Sequence, residues 1–125
     1  MFGNVKNEAG VLFNKKNFKL VKKILKKNEK IAKHNHENEE IVFIVLKGKM
    51  EIFLNDTEKH ILVPGNILQF DGINFINGSA LEDSEISVIL VKKWFYWHKY
   101  CIFFKTKNTI FIDFINIVKC IKFMT

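Results

Sequence analysis

The residues best suited to chemistry stand in one short segment, His34-Asn35-His36, which is followed by Glu40. Two side chains that are two residues apart on an extended strand point to the same side. Imidazoles placed in this way can share a first-row transition metal, and a carboxylate from the next strand can complete an open site. We therefore take His34, His36 and Glu40 as candidate metal ligands. The alternative is that the two His are solvated polar residues.

The elements that must position these residues are short strands. Between residues 41 and 91 the chain consists of short apolar runs separated by turn signals such as Pro64-Gly65, Asp71-Gly72 and Asn77-Gly78. Short strands spaced about ten residues apart predict an all-β sandwich or barrel. Residues 15–33 fit one face of a helix and an extended strand about equally well, so their periodicity leaves both open.

The order of these features resembles the two-motif pattern of the cupin superfamily, over roughly residues 17–93. The first motif has the form G(x)5HxH(x)3–4E(x)6G and the second the form G(x)5PxG(x)2H(x)3N. The resemblance implies a small antiparallel barrel, a jelly roll of two facing sheets, often paired as a homodimer. We therefore expect an N-terminal segment at residues 1–16, a cupin-type barrel at 17–93 and a separate C-terminal extension at 94–125.

The resemblance also implies a ligand set for a metal. His34 and His36 match the first two ligands of the family, and Glu40 is the best match for the third. Seven residues separate Glu40 from Gly48, where the family has six. Counting back from Gly48 therefore places Ile41 at the ligand position. A bulge of one residue would place Glu40 at the ligand position, whereas in a regular strand its carboxylate would point to the opposite face of the sheet.

The second motif departs further from the family pattern. Counted from Gly65, the fourth ligand His falls at Ile76, and no His occurs between residues 61 and 97. Asn74 and Asn77 are the nearest polar residues, but an amide is a poor ligand for Zn, Fe or Ni. The resemblance thus implies a degenerate second motif and an incomplete ligand set for one divalent transition metal (Fe, Mn, Ni or Zn).

A barrel this small either fills its interior with side chains or leaves a shallow cup for one small ligand. Phe43, Phe70, Asn74 and Ile76 are the candidate ligand-binding residues. The predicted inner lining as a whole is Ile31, His34, His36, Glu40, Phe43, Val45, Ile52, Leu54, Phe70, Asn74, Ile76 and Val88.

Composition limits the remaining possibilities. The chain has 125 residues, 48% of them hydrophobic, with two Cys and a formal charge of +7. The low number of Cys and the lack of an apolar signal region predict a cytoplasmic protein without a disulfide scaffold. Because the sequence has no apolar run of about 18 residues, we expect no membrane-spanning helix. Residues 15–33 hold nine Lys and one Glu. Because no Arg is present to read bases by its bidentate fork, we expect a solvated Lys-rich face and no specific nucleic-acid partner.

Residues 94–125 differ from the rest of the chain, because they hold ten of its seventeen aromatic residues. Apolar residues such as Phe111, Phe114 and Val118 would line one side of a helix. Three interpretations stay open. The segment is an accidental extension of an A+T-rich gene, it packs on the barrel or on a partner, or it contacts a membrane surface.

Fold alone does not select a function, since one fold hosts many. From the sequence we expect a non-catalytic or vestigial cupin module that binds a small ligand or has a regulatory role. The alternative is a metal-dependent cupin enzyme of the dioxygenase or isomerase type, in which His34, His36 and Glu40 hold the metal.

Overall fold

The computed structural model describes residues 2–93, and the regular elements of this part are nine β-strands. A helix long and apolar enough to cross a bilayer does not occur among these residues. In chain order the strands are β1 (Gly10–Asn14), β2 (Phe18–Leu25), β3 (Lys30–His34), β4 (Glu39–Lys47), β5 (Met50–Leu54), β6 (Glu58–Leu62), β7 (Ile67–Asp71), β8 (Ile76–Ala80) and β9 (Ser84–Lys92).

The strands form two sheets. One sheet has five strands in the order β1-β2-β9-β4-β7, and the other has four in the order β3-β8-β5-β6. The pairs β1–β2, β2–β9, β4–β7, β3–β8, β5–β6 and β5–β8 are all antiparallel. This arrangement confirms the predicted all-β jelly roll of two facing sheets.

The core lies between the two sheets and follows from alternation along the strands. In β4 the inward residues Ile41, Phe43 and Val45 are at most 2% exposed, and in β5 Met50 and Ile52 are fully buried. Each large apolar side chain removed from water in this way stabilises the fold by about 1.5–3 kcal/mol. Val45, Ile52 and Leu54, which we predicted to line a cup, belong to this packed core.

Residues 15–33 contain β2 and most of β3 and no helix, so the helical alternative for them is wrong. β2 pairs with β9 along its whole length, from Phe18 opposite Val91 to Leu25 opposite Ser84. A helix would leave the backbone groups of β9 on the side of β2 without partners.

The five-stranded sheet also begins earlier than residue 17, the predicted start of the barrel. β1 (Gly10–Asn14) pairs with β2, and the Lys15 N–H donates to the Phe18 carbonyl at 2.8 Å across the connecting turn. The short run Val11-Leu12-Phe13 is the apolar signal of this strand, and Leu12 is buried.

Gly48 closes the turn between β4 and β5, where the first motif of the family ends in Gly. Its φ of +87° favours glycine, and an added Cβ would lie 2.2 Å from the Oγ of Ser84. Ser84 is buried and accepts a hydrogen bond from the Lys49 N–H at 3.0 Å. Only glycine allows this close approach of the turn to the start of β9.

The predicted aromatic and helical face of residues 94–125 lies outside the described residues. The predictions of a homodimer and of a cytoplasmic location concern properties that one chain does not display, and they stay predictions.

Candidate functional site

A cavity of about 190 Å³ lies inside the barrel, between the two sheets. Nine of its lining residues are apolar and four are basic. The lining residues are Lys19, Val21, Lys23, Ile31, His34, His36, Ile41, Phe43, Phe70, Ile76, Ile86, Val88 and Leu90.

His34 reaches the cavity because of a bulge in β3. Ile31 pairs with Gly78 and His34 with Ile76, so three steps along β3 match two along β8. A bulge re-aims the side chains that follow it. In a regular strand Lys33 would share the inner face with Ile31, whereas the bulge places His34 there. The Nδ1–H of His34 donates to the Ala32 carbonyl at 2.6 Å, which leaves Nε2 available.

His36 follows β3 in a loop that is held against Gly72. The His36 N–H donates to the Gly72 carbonyl at 2.7 Å, and the Gly72 N–H donates to the Glu39 carbonyl at 2.8 Å. An added Cβ at Gly72 would lie 2.1 Å from the His36 carbonyl oxygen, so this contact requires glycine. The rings of His34 and His36 meet edge to face, with centroids 5.0 Å apart and planes at 86°.

The surroundings of His36 favour its neutral form. Burial lowers the pKa of His36 below its ordinary 6.5, and the nearby His34 and Lys19 lower it further, while Glu39 opposes the shift. The Nδ1 of His36 lies 3.5 Å from a carboxylate oxygen of Glu39. Desolvation is the largest of these effects, as expected for an imidazole at the edge of an apolar cavity.

Glu40 is not brought to the two imidazoles. Pairing of β4 with β7 runs without a shift from Glu40 opposite Asp71 to Ile44 opposite Ile67, so the one-residue bulge that Glu40 requires does not occur here. Glu40 therefore lies on the outer face, where its carboxylate accepts a hydrogen bond from the Gln69 side chain at 2.6 Å. Ile41 takes the inward position and lines the cavity. This register separates the Glu40 carboxylate from His34 and His36, the two residues with which it was predicted to share a metal.

Three of the four predicted ligand-binding residues line the cavity, namely Phe43, Phe70 and Ile76. Ile76 is 4% exposed and lies directly opposite His34 in the ladder, on the same face of the sheet. Asn74 is not among the lining residues. Its amide oxygen accepts from Asn55 at 2.9 Å and its amide nitrogen donates to the Asp71 carbonyl at 3.0 Å, so it belongs to a turn.

The residues at the cavity do not fit a metal centre of the family type. Within residues 2–93, no group of three or more His, Cys, Asp or Glu is arranged to hold a metal ion. The two imidazoles are present, but the third and fourth ligand positions hold Ile41 and Ile76. A branched apolar side chain supplies no donor atom, and two ligands from the chain fall short of the three that open metal sites use.

Six residues that line the cavity are not in the predicted lining, namely Lys19, Val21, Lys23, Ile41, Ile86 and Leu90. Lys19 and Lys23 are the two polar ones among them. Both point inward from β2, opposite Leu90 and Ile86. In the sequence they belong to a Lys-rich run that we interpreted as a solvated face. The signal that identifies them is strict alternation, since Lys19, Val21, Lys23 and Leu25 share one face of β2 and Leu25 is buried.

Comparison with known proteins finds a likeness of structure. No protein-family model matches the chain, and a search of curated proteins also finds no match. An RmlC-like cupin family protein with a double-stranded β-helix fold from Methanocaldococcus jannaschii superposes with a TM-score of 0.64 and 24% identity, covering 74% of this chain and 93% of that one.

Two further solved structures show the same likeness. KdgF from Halomonas sp. has a TM-score of 0.61 and 22% identity, over 66% of this chain and 74% of that one. The cupin domain of Cnp3 from Schizosaccharomyces pombe has a TM-score of 0.65 and 11% identity, over 73% of this chain and 64% of that one. At these identities the likeness establishes the fold alone.

Proposed function

Starting from the cupin fold that this chain shares with those structures, we propose that it is a non-catalytic binding module whose barrel holds one small organic molecule. The observation that carries the proposal is the apolar cavity of about 190 Å³ at the place where a metal-dependent cupin would hold its metal. Concave, mostly apolar sites with a few polar groups at one side are typical of small-molecule binding.

The donor set supports binding over metal chemistry. Ile41 and Ile76 replace the third and fourth ligands with side chains that add apolar surface to the same cavity. The same two substitutions that remove the metal donors therefore improve the site for an apolar ligand. His34 and His36 remain as polar groups at its edge, where they can orient a ligand by hydrogen bonds.

The cavity can be tested by filling it. Val88 lines the cavity from β9, whereas Val91 on the same strand is 37% exposed. Val88→Phe places a phenyl ring in the cavity, and Val91→Phe makes the same change outside it. We would add phenylacetate, 2-phenylacetamide and 2-phenylethylamine separately to the full chain and detect binding by saturation-transfer NMR.

We expect at least one of the three probes to bind the unmodified chain and the Val91→Phe variant, and to lose its signal with Val88→Phe. Thermal melting by circular dichroism confirms that both variants are folded. The proposal fails if none of the three probes binds, or if Val88→Phe binds them as well as the unmodified chain does.

A further inference from the structure

The four polar side chains that line the cavity are all basic. They are Lys19 and Lys23 from β2, and His34 and His36 at the end of β3. Among residues 2–93, no Asp or Glu lines the cavity. A carboxylate oxygen of Glu39 lies 3.5 Å from Nδ1 of His36, so a negative charge stands beside these basic side chains. The polar side of the cavity therefore presents hydrogen-bond donors and positive charge to whatever enters it.

The two lysines stand out by their position. An inward lysine in an apolar wall must extend its ammonium group toward water, because burial of an unpaired charge is strongly unfavourable. Lys19 is half-buried and Lys23 is exposed, which agrees with ammonium groups that lie where the cavity opens to solvent, at its mouth. Within residues 2–93 neither of these two ammonium groups makes an ion pair or a hydrogen bond. The ammonium group of Lys22, on the outer face of the same strand, lies 3.7 Å from a carboxylate oxygen of Glu85 and donates to the carbonyl oxygen of Asn7 at 3.1 Å.

The size of the cavity restricts the ligand. A cavity of about 150 Å³ lined by aliphatic and aromatic side chains binds benzene. The present volume of about 190 Å³ thus accommodates one ring or one branched aliphatic group together with a small polar group. Hydroxyl-rich bodies such as sugars are disfavoured, because their hydroxyls would lie against Phe43, Phe70 and Ile76 without partners.

We propose that the ligand is a small monocarboxylate with a compact apolar body. The body lies between the apolar walls, and the carboxylate lies toward the ammonium groups of Lys19 and Lys23 at the mouth. This inference rests on the proposed function, since it names the chemical class of the molecule that the barrel binds. Charge-assisted hydrogen bonds from ammonium groups to a carboxylate are about twice as strong as neutral ones.

The test compares two probes of nearly the same shape, phenylacetate and 2-phenylacetamide, by isothermal titration calorimetry with the full chain. We expect phenylacetate to bind at least about tenfold more tightly than the amide at low salt, as charge-assisted pairing requires. Added NaCl reduces this preference, because ions screen partly exposed charges. The double variant Lys19→Gln, Lys23→Gln loses the preference and keeps its affinity for the amide.

Lys22→Gln is the control on the same strand, because it removes a positive charge that is paired with Glu85 on the outer face and does not line the cavity. Lys22→Gln is expected to retain the preference for the carboxylate. The inference is overturned if the unmodified chain binds the amide as tightly as phenylacetate or more tightly, or if the double variant keeps the preference for phenylacetate. In both cases the proposed function still stands. Failure of both probes, and of 2-phenylethylamine, overturns the proposed function and this inference with it.

Discussion

Ile76 occupies the position of a missing donor, and replacing it tests that interpretation. Ile76 lies opposite His34 in the ladder, it is 4% exposed, and it lines the same cavity as His36. Ile76→His therefore adds a third imidazole to the two that already meet with ring centroids 5.0 Å apart. Three His with an open fourth position are a ligand set that suits zinc.

The magnitude follows from burial. Without metal, Ile76→His loses part of the stabilisation that the buried isoleucine provides, which is about 1.5–3 kcal/mol. The substitution also buries a polar group, which destabilises the fold by about 1–3 kcal/mol. We expect the free energy of unfolding to fall by about 2–4 kcal/mol. Zinc at a hundred times its dissociation constant returns about 2.7 kcal/mol, because it binds the folded state alone.

The assay is urea unfolding of the full chain with and without ZnCl2, followed by circular dichroism. Ile76→Gln is the control, because it places a polar side chain there that is a poor zinc ligand. Ile76→His is expected to regain stability with zinc, while Ile76→Gln and the unmodified chain do not respond. The reasoning is refuted if Ile76→His shows no response, or if the unmodified chain responds equally.

Three further predictions concern residues around the cavity. Gly72→Ala places a Cβ 2.1 Å from the His36 carbonyl oxygen, so we expect the free energy of unfolding in urea to fall by about 1–3 kcal/mol and the probes to bind more weakly. Gly3→Ala is the control, because its added Cβ has no atom within 4 Å, and it should change neither quantity. The pKa of His36 is lower in the folded protein than its ordinary 6.5, so the unfolded state binds more protons at any pH between these two pKa values. The free energy of unfolding should therefore fall as the pH falls through this window. His36→Gln should flatten that part of the stability profile, and an unchanged slope would contradict the assignment. Glu40→Gln should leave probe binding unchanged, because Glu40 faces away from the cavity; a loss of binding would place its carboxylate in the site.

The fold was predictable from the sequence because alternation and turn dipeptides are local signals. The inward residues of β5, Met50, Ile52 and Leu54, recur at every second position. The strand β4 was predictable as a continuous apolar run, and which of its residues point inward appears only in their burial. Residues 15–33 were ambiguous because their apolar residues fit two periodicities, and only the pairing of β2 with β9 decides between them. The strand β1 was missed because its apolar run is short and stands beside a Lys-rich turn.

The site was only partly predictable, because it depends on register. Glu40 and Ile41 differ by one residue, and that step decides which side chain enters the cavity. His34 reaches the inside through a bulge in β3 that no residue type announces. Lys19 and Lys23 were hidden among other lysines, since charge alone does not reveal which face of a strand a residue occupies. Asn74 was close in sequence to the cavity, but its hydrogen bonds keep it in a turn.

The central claim is that the interior of this barrel is a site for an organic molecule, with isoleucines in place of two metal donors. Its most direct test is the metal content of the full chain, purified without a His tag, incubated with excess Fe, Mn, Ni and Zn, and desalted. We expect well below one metal ion per chain by mass spectrometry. About one ion per chain, lost in the variant His34→Ala, His36→Ala, would contradict the claim and favour a metal-dependent enzyme.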